Sequence, residues 1–143
     1  MKNFILFTLI LVFSVSLAFS QHISEKKVPQ AVKDAFYTKF PNTENVRWGL
    51  EDAEYEAEFK LNNVNTSASY SEDGTWLETE TEIDATSLPQ AVIDAVNRDY
   101  NSATIYGASR IEKSDKSILY EADIKVKSKK KEVLYDEKGN PVQ

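Results

Sequence analysis

The segment Val28-Pro29-Gln30-Ala31-Val32-Lys33-Asp34-Ala35 returns sixty positions later as Leu88-Pro89-Gln90-Ala91-Val92-Ile93-Asp94-Ala95. An internal repeat constrains a fold more than any single motif, because each copy must form the same supersecondary unit and bury the same kind of surface. In the first copy Val28, Ala31, Val32, Ala35, Phe36 and Phe40 follow the spacing of one helical face. Leu88, Ala91, Val92, Ala95, Val96 and Tyr100 repeat it. Pro29 and Pro89 are tolerated where first-turn amides have no intrahelical acceptor. Ser87 and Gln90 have the spacing of a capping box, with Ser87 expected as N-cap.

After each helix the apolar period falls from 3.6 to 2. Tyr55, Ala57, Phe59 and Leu61 alternate with Glu54, Glu56, Glu58 and Lys60, and Tyr120, Ala122, Ile124 and Val126 alternate with Glu121, Asp123, Lys125 and Lys127. Both runs predict half-buried antiparallel strands with one wet face. A second landmark, Tyr70-Ser71-Glu72-Asp73-Gly74, matches Tyr135-Asp136-Glu137-Lys138-Gly139 with an offset of 65 instead of 60. The five additional residues of copy two are expected around the Ile111 to Ser117 hairpin. Each copy reads as a helix followed by a meander of up to four strands, the second cut short by the end of the chain.

The predicted fold class is therefore α+β: two tandem helix-plus-antiparallel-meander repeats forming one sheet, with both helices on one face. The truncated last strand would leave an edge able to pair with another chain. Residues 1–20 read as a signal peptide, with Lys2 as the positive start, an apolar run from Ile5 to Phe13, and Ala18 and Ser20 before a cut at Gln21. The apolar stretch is shorter than the ~20 residues a bilayer span needs. Residues 21–143 then form a single domain, with repeat one over 28–83 and repeat two over 88–143. The chain has no Cys, so it offers no lipoprotein acceptor, disulfide, thiol nucleophile or thiolate metal site. The expected location is periplasmic or secreted.

Removing Lys2 takes the 17 basic residues to 16 against 23 acidic ones, a formal charge of −7. Such a chain repels phosphate backbones, which argues against nucleic acid as a partner. The one His, His22, lies next to the predicted cut, and without it no Ser-His-Asp arrangement is available to the folded part. No enzymatic activity, cofactor or metal site is expected.

Charge is unevenly placed. Arg47 to Glu82 holds ten acidic and two basic residues, whereas Ala103 to Gln143 holds nine basic and seven acidic ones, with Lys125, Lys127, Lys129, Lys130 and Lys131 close together. The open sheet face is thus expected to be acidic in copy one and more basic in copy two. Three uses of that face are open: an ordinary solvated surface, recognition of a protein or peptide, and uptake of a cation or cationic ligand. The alternation places Trp76 in phase with Glu78 and Glu80, so it is expected on the open face as an anchor. The candidate partner-binding residues are Trp76, Glu54, Glu56, Glu58, Glu78, Glu80, Lys125 and Lys127.

The repeated Leu/Val-Pro-x-Ala-Val helix start, the Tyr-Glu-Ala strand and the Tyr-x-x-x-Gly hairpin together resemble the PepSY-like, β-lactamase-inhibitor-like family, over Val28 to Gln143. The resemblance implies a tandem helix-plus-sheet fold, export to the periplasm or beyond, and no enzymatic activity. It also implies a concave sheet of the kind inhibitory proteins use to grip an enzyme. The expected function is a non-enzymatic exported module that engages a protein or peptide through its open sheet face, inhibition of a periplasmic or secreted enzyme being one form.

Overall fold

A computed structural model describes residues 21–142; the signal peptide expected over 1–20 lies outside the described residues. The elements run β1 (Gln21–Ile23), α1 (Gln30–Lys39), β2 (Arg47–Glu51), β3 (Glu54–Leu61), β4 (Val64–Tyr70), β5 (Trp76–Ile83), α2 (Gln90–Asp99), β6 (Thr104–Lys113), β7 (Ile118–Val126) and β8 (Lys129–Asp136). All eight strands form one antiparallel sheet in chain order. The fold is α+β, an open sheet with two helices.

Short reversals suit this meander because their residues accept left-handed backbone. Asn62 and Asn63 (φ 51° and 68°) join β3 to β4, and Asp52 and Ala53 (φ 47° and 67°) join β2 to β3. Two successive positive φ values match the right-handed twist of the flanking strands. Strand β6 has ten residues where β2 has five, so the additional residues of the second half lengthen the β6–β7 hairpin.

Each helix is preceded by a short 3-10 turn, capped by Ser24 in the first half and by Asp84 in the second. The expected Ser87–Gln90 capping box does not form. Ser87 belongs to the 3-10 turn and its amide donates to Asp84 O at 2.8 Å, while Gln90 Nε2 donates to Asp94 Oδ1 at 2.8 Å. Pro89 occupies the cap position without a side-chain bond, as Pro29 does in α1. The fixed proline φ starts both helices.

The core is divided in two. Val32, Phe36 and Phe40 pack on Trp48, Ala57, Phe59, Ala68 and Tyr70, and Leu88, Val92, Ala95 and Val96 pack on Ala108, Ala122, Ile124, Val133 and Tyr135. The first cluster is aromatic: the Phe36 ring meets Trp48 at 5.3 Å and Phe59 at 5.1 Å, both edge-on, the geometry that ring quadrupoles favour. Two glycine turns lock these halves. At positive φ, Gly74 lies so close to the Ala31 carbonyl, and Gly139 to the Ala91 carbonyl, that a Cβ would collide with the helix backbone. The Tyr-x-x-x-Gly motif thus seats a turn on the first turn of each helix.

Two bulges reset side-chain phase. Ser69 pairs with Glu78, but Tyr70 pairs with Trp76, leaving Leu77 as an extra residue. One added residue reverses which face the following side chains occupy. Trp76 therefore leaves the phase of Glu78 and Glu80 and packs against the first helix-covered cluster. Its ring lies 3.8 Å from the Lys39 ammonium of α1, and its Nε1–H donates to Glu78 O at 2.7 Å and Thr79 Oγ1 at 3.0 Å. The expectation of Trp76 as an open-face anchor is corrected on this ground. The second bulge lies between Ile105 and Gly107, leaving Tyr106 unpaired and 49% exposed.

The final strand is not a bare edge. The Val142 amide donates to Leu134 O at 2.9 Å, and Pro141 bridges Tyr135. The rest of that edge carries Lys129, Lys130 and Lys131. A covered half and a charged half are both devices that discourage strand addition.

Candidate functional site: an acidic concavity on the sheet

Opposite in phase to the buried Ala57, Phe59, Ala122 and Ile124, the polar residues of β3 to β8 line a concavity of about 810 Å³. Its acidic lining comes mainly from alternate strands, Glu56 and Glu58 on β3, Glu80 and Glu82 on β5, and Glu121 and Asp123 on β7, joined by Glu132 on β8 and by Glu44 ahead of β2. Between them lie small residues, Ser67 on β4 and Gly107 and Ser109 on β6. The pairing makes the pattern explicit: Ser67 stands between Glu58 and Glu80, and Ser109 between Glu82 and Glu121. Like charges directly opposite one another destabilise a ladder, and the intervening serines separate most of these carboxylates by one strand. The exception is Asp123, which pairs directly with Glu132.

The carboxylates differ in environment. Glu58 is held by Arg47 at 2.6 Å, and Glu82 Oε2 accepts from Asn65 Nδ2 at 2.6 Å. Glu121 has no such hydrogen bond or ion pair among the described residues. Burial, then the neighbouring Glu80, Glu132 and Asp123, push its carboxyl up to about 8. Burial also raises Glu80, opposed by a hydrogen bond from Ser109, and raises Asp123, opposed by the charge of Lys130. Crowding and desolvation both favour the protonated form of these carboxyls. Carboxylate oxygens of Glu121, Asp123 and Glu132 come within 4.8 Å of one another. That supplies three hard oxygen donors, fewer than the 6–8 a calcium ion takes.

The eight residues expected to meet a partner are dispersed. Glu56, Glu58 and Glu80 line the concavity. Glu54 is exposed at the start of β3, opposite Glu51, and Glu78 is tied to Lys113 at 2.5 Å. Lys125 stands opposite Lys130, and Lys127 forms the turn between β7 and β8 at φ 56°. Trp76 lies on the other side of the sheet. Sequence reading missed Glu121, Asp123 and Glu132 because summed charge made the second half look basic. The signal that finds them is the β7–β8 register, which separates an acidic pair from the lysines beyond it. The expected acidic-to-basic division of the open face is corrected accordingly: acid continues across both halves, and the lysines collect at one hairpin tip. His22 is exposed on β1, and no imidazole lines the concavity.

An open antiparallel sheet with two helices and an acidic concave face defines the class of molecule. Its sequence matches the family model described as beta-lactamase-inhibitor-like, PepSY-like over residues 18–63 and 53–142, and the chain belongs to that family. Among solved structures it is similar to a DUF2874 family protein of Bacteroides uniformis (TM-score 0.71, 18% identity, covering 80% of this chain and 86% of that one). It is also similar to a BLIP-like protein of Bacteroides fragilis (TM-score 0.64, 24% identity, 80% and 84% covered). A candidate periplasmic protein of Bacteroides eggerthii has the same fold at TM-score 0.70 and 19% identity, with 81% and 86% covered. At these identities the likeness concerns fold. No curated protein matches the chain. No helix among the described residues is long and apolar enough to cross a membrane.

Proposed function

We propose that this chain is a non-enzymatic, exported binding module that takes a cationic segment of a protein or peptide into its acidic concavity. In this reading residues 21–143 are one domain of two like units, 28–83 and 88–143, whose helices cover one sheet face and leave the other to the ligand. The pairing rows support it: Thr66, Thr81, Arg110, Tyr120 and Tyr135 are successive partners across five strands. The observation that carries the proposal is the concavity itself, whose carboxylates outnumber the lining cations Arg47 and Lys60. Such complementarity sets specificity and association rate. Inhibition of a periplasmic or secreted enzyme is one form this binding would take.

The test is titration of an oligolysine peptide by calorimetry at low and high salt. At about pH 9, above the raised Glu121 value so that its carboxylate is ionised, a Glu80→Gln, Glu121→Gln, Asp123→Asn variant should bind about tenfold more weakly with an unchanged circular dichroism spectrum. Equal affinity would overturn the reading.

The convergence of Glu121, Asp123 and Glu132 supports a second reading, uptake of a divalent cation. Bound calcium must raise the melting temperature by mass action, and no shift at millimolar concentration removes this alternative.

A further inference from the structure

The β7–β8 hairpin concentrates cations at its tip. Lys125, Lys127, Lys129, Lys130 and Lys131 fall within seven residues of chain, and Lys125 and Lys130 stand directly opposite each other. Like charges at such positions oppose pairing, so the tip is held together against its own repulsion. Lys125, Lys127 and Lys129 take part in no salt bridge among the described residues. Lys130 and Lys131 lie over the rings of Tyr106 (4.9 Å) and Tyr100 (4.8 Å). The tip is exposed on a chain whose net charge is negative.

The same molecule carries the complementary surface. The tip cannot fold back into the centre of its own concavity, because an eight-pair ladder from Leu119↔Asp136 to Val126↔Lys129 holds the hairpin straight. We infer that the lysine tip of the β7–β8 hairpin docks in the acidic concavity of a second copy of this chain. The inference rests on the reading of that concavity as a site for cationic segments. Tip and acid are neighbours at Lys130 and Glu132, so a twofold arrangement lets each tip meet the other copy's carboxylates. An isologous contact of this kind closes at a dimer. An anionic lipid surface is the competing occupant of the tip. It would bring Asp123 and Glu132 against like charge, whereas a second copy meets both signs with their opposites.

Sedimentation of residues 21–143 at about 100 μM, in about 20 mM and 500 mM salt, provides the test, since the Debye length falls several-fold over that range. The expected result is a mass approaching twice the monomer in low salt and a monomer in high salt. Lys125→Glu, Lys127→Glu, Lys129→Glu should weaken association about tenfold; these side chains are exposed, and circular dichroism checks that folding is kept. Glu82→Lys with Glu132→Lys should do the same, and mixing the two variants should restore association that neither has alone. A monomer in low salt, or association indifferent to reversal of the tip, overturns the inference. So does a monomer that binds phosphatidylglycerol vesicles through these lysines. If oligolysine binds while the wild-type chain stays monomeric, self-docking fails and the proposed function stands. If oligolysine does not bind, both fail.

Discussion

Gly107 and Asp123 are paired across β6 and β7, and the Asp123 carboxylate occupies the space where a Cβ on Gly107 would lie. The glycine follows the Tyr106 bulge and leaves room for an acidic side chain to lie flat on the sheet beside Glu132. Gly107→Ala should displace that carboxylate. The nearest atom is the end of a partly exposed side chain, so rotation of Asp123 accommodates the added methyl without a core being overpacked. The expected outcome is a melting temperature close to the wild type together with weaker oligolysine binding, measured on the same sample.

Glu121 governs a pH dependence of stability. Its carboxyl is raised in the folded chain from the usual 4.5 to about 8 by burial and by its acidic neighbours. A group whose folded value is raised contributes stability that is complete below the unfolded value and is lost as pH rises through the folded one. Between pH 4.5 and 8 the wild type should therefore lose stability that Glu121→Gln retains. Thermal melts at pH 5 and pH 8.5 should show near-equal midpoints at the lower pH. At the higher pH the variant should melt roughly 3–8 °C above the wild type, and equal midpoints at both would refute the assignment.

These two positions mark where sequence reasoning stops. The helix stripes, the alternation of Tyr55 to Leu61 and Tyr120 to Val126, and the glycine turns are local patterns with local causes, and they define the α+β class and the meander. The bulges at Leu77 and Tyr106 each add one residue to a strand, and no composition signal distinguishes such a residue from its neighbours. One of them carries Trp76 to the opposite face. Strand β1, with three residues, is too short to show a period. The acidic cluster of Glu121, Asp123 and Glu132 depends on register between strands, a long-range property that summed charge along the chain conceals.

Trp76 should behave as a structural residue. It packs on the first core cluster beneath the Lys39 ammonium, a cation–π contact worth roughly 0.5–2 kcal/mol in addition to its packing. Trp76→Ala should lower the melting temperature by several degrees and leave oligolysine affinity unchanged. A loss of affinity at constant stability would return this residue to the binding face.

Gly74 and Gly139 should respond alike to alanine. Both have positive φ (85° and 76°) and both lie against a helix carbonyl. Backbone strain at such a position costs about 1–3 kcal/mol in a residue with a Cβ, and the collision with Ala31 or Ala91 adds to it. Urea midpoints should fall for each variant, and a neutral result at either turn would show that it does not seat on its helix.

The two buried tyrosines should respond oppositely to loss of the hydroxyl. Tyr135 donates to Asp99 Oδ2 at 3.1 Å, and Asp99 is in turn held by Arg98 at 2.7 Å, which keeps the carboxylate well below its usual range. In the first half the position of Asp99 is occupied by Lys39, whose ammonium is turned to Trp76. The Tyr70 hydroxyl is consequently buried without a partner among the described residues, and burial pushes it up to about 12. A net hydrogen bond contributes about 0.5–1.5 kcal/mol, whereas an unsatisfied buried hydroxyl costs about 1–3 kcal/mol. Tyr135→Phe should therefore destabilise the chain, while Tyr70→Phe should leave it unchanged or stabilise it. Chemical denaturation of the two single variants checks this, and equal destabilisation would mean that the Tyr70 hydroxyl has a partner, most simply an ordered water, in solution.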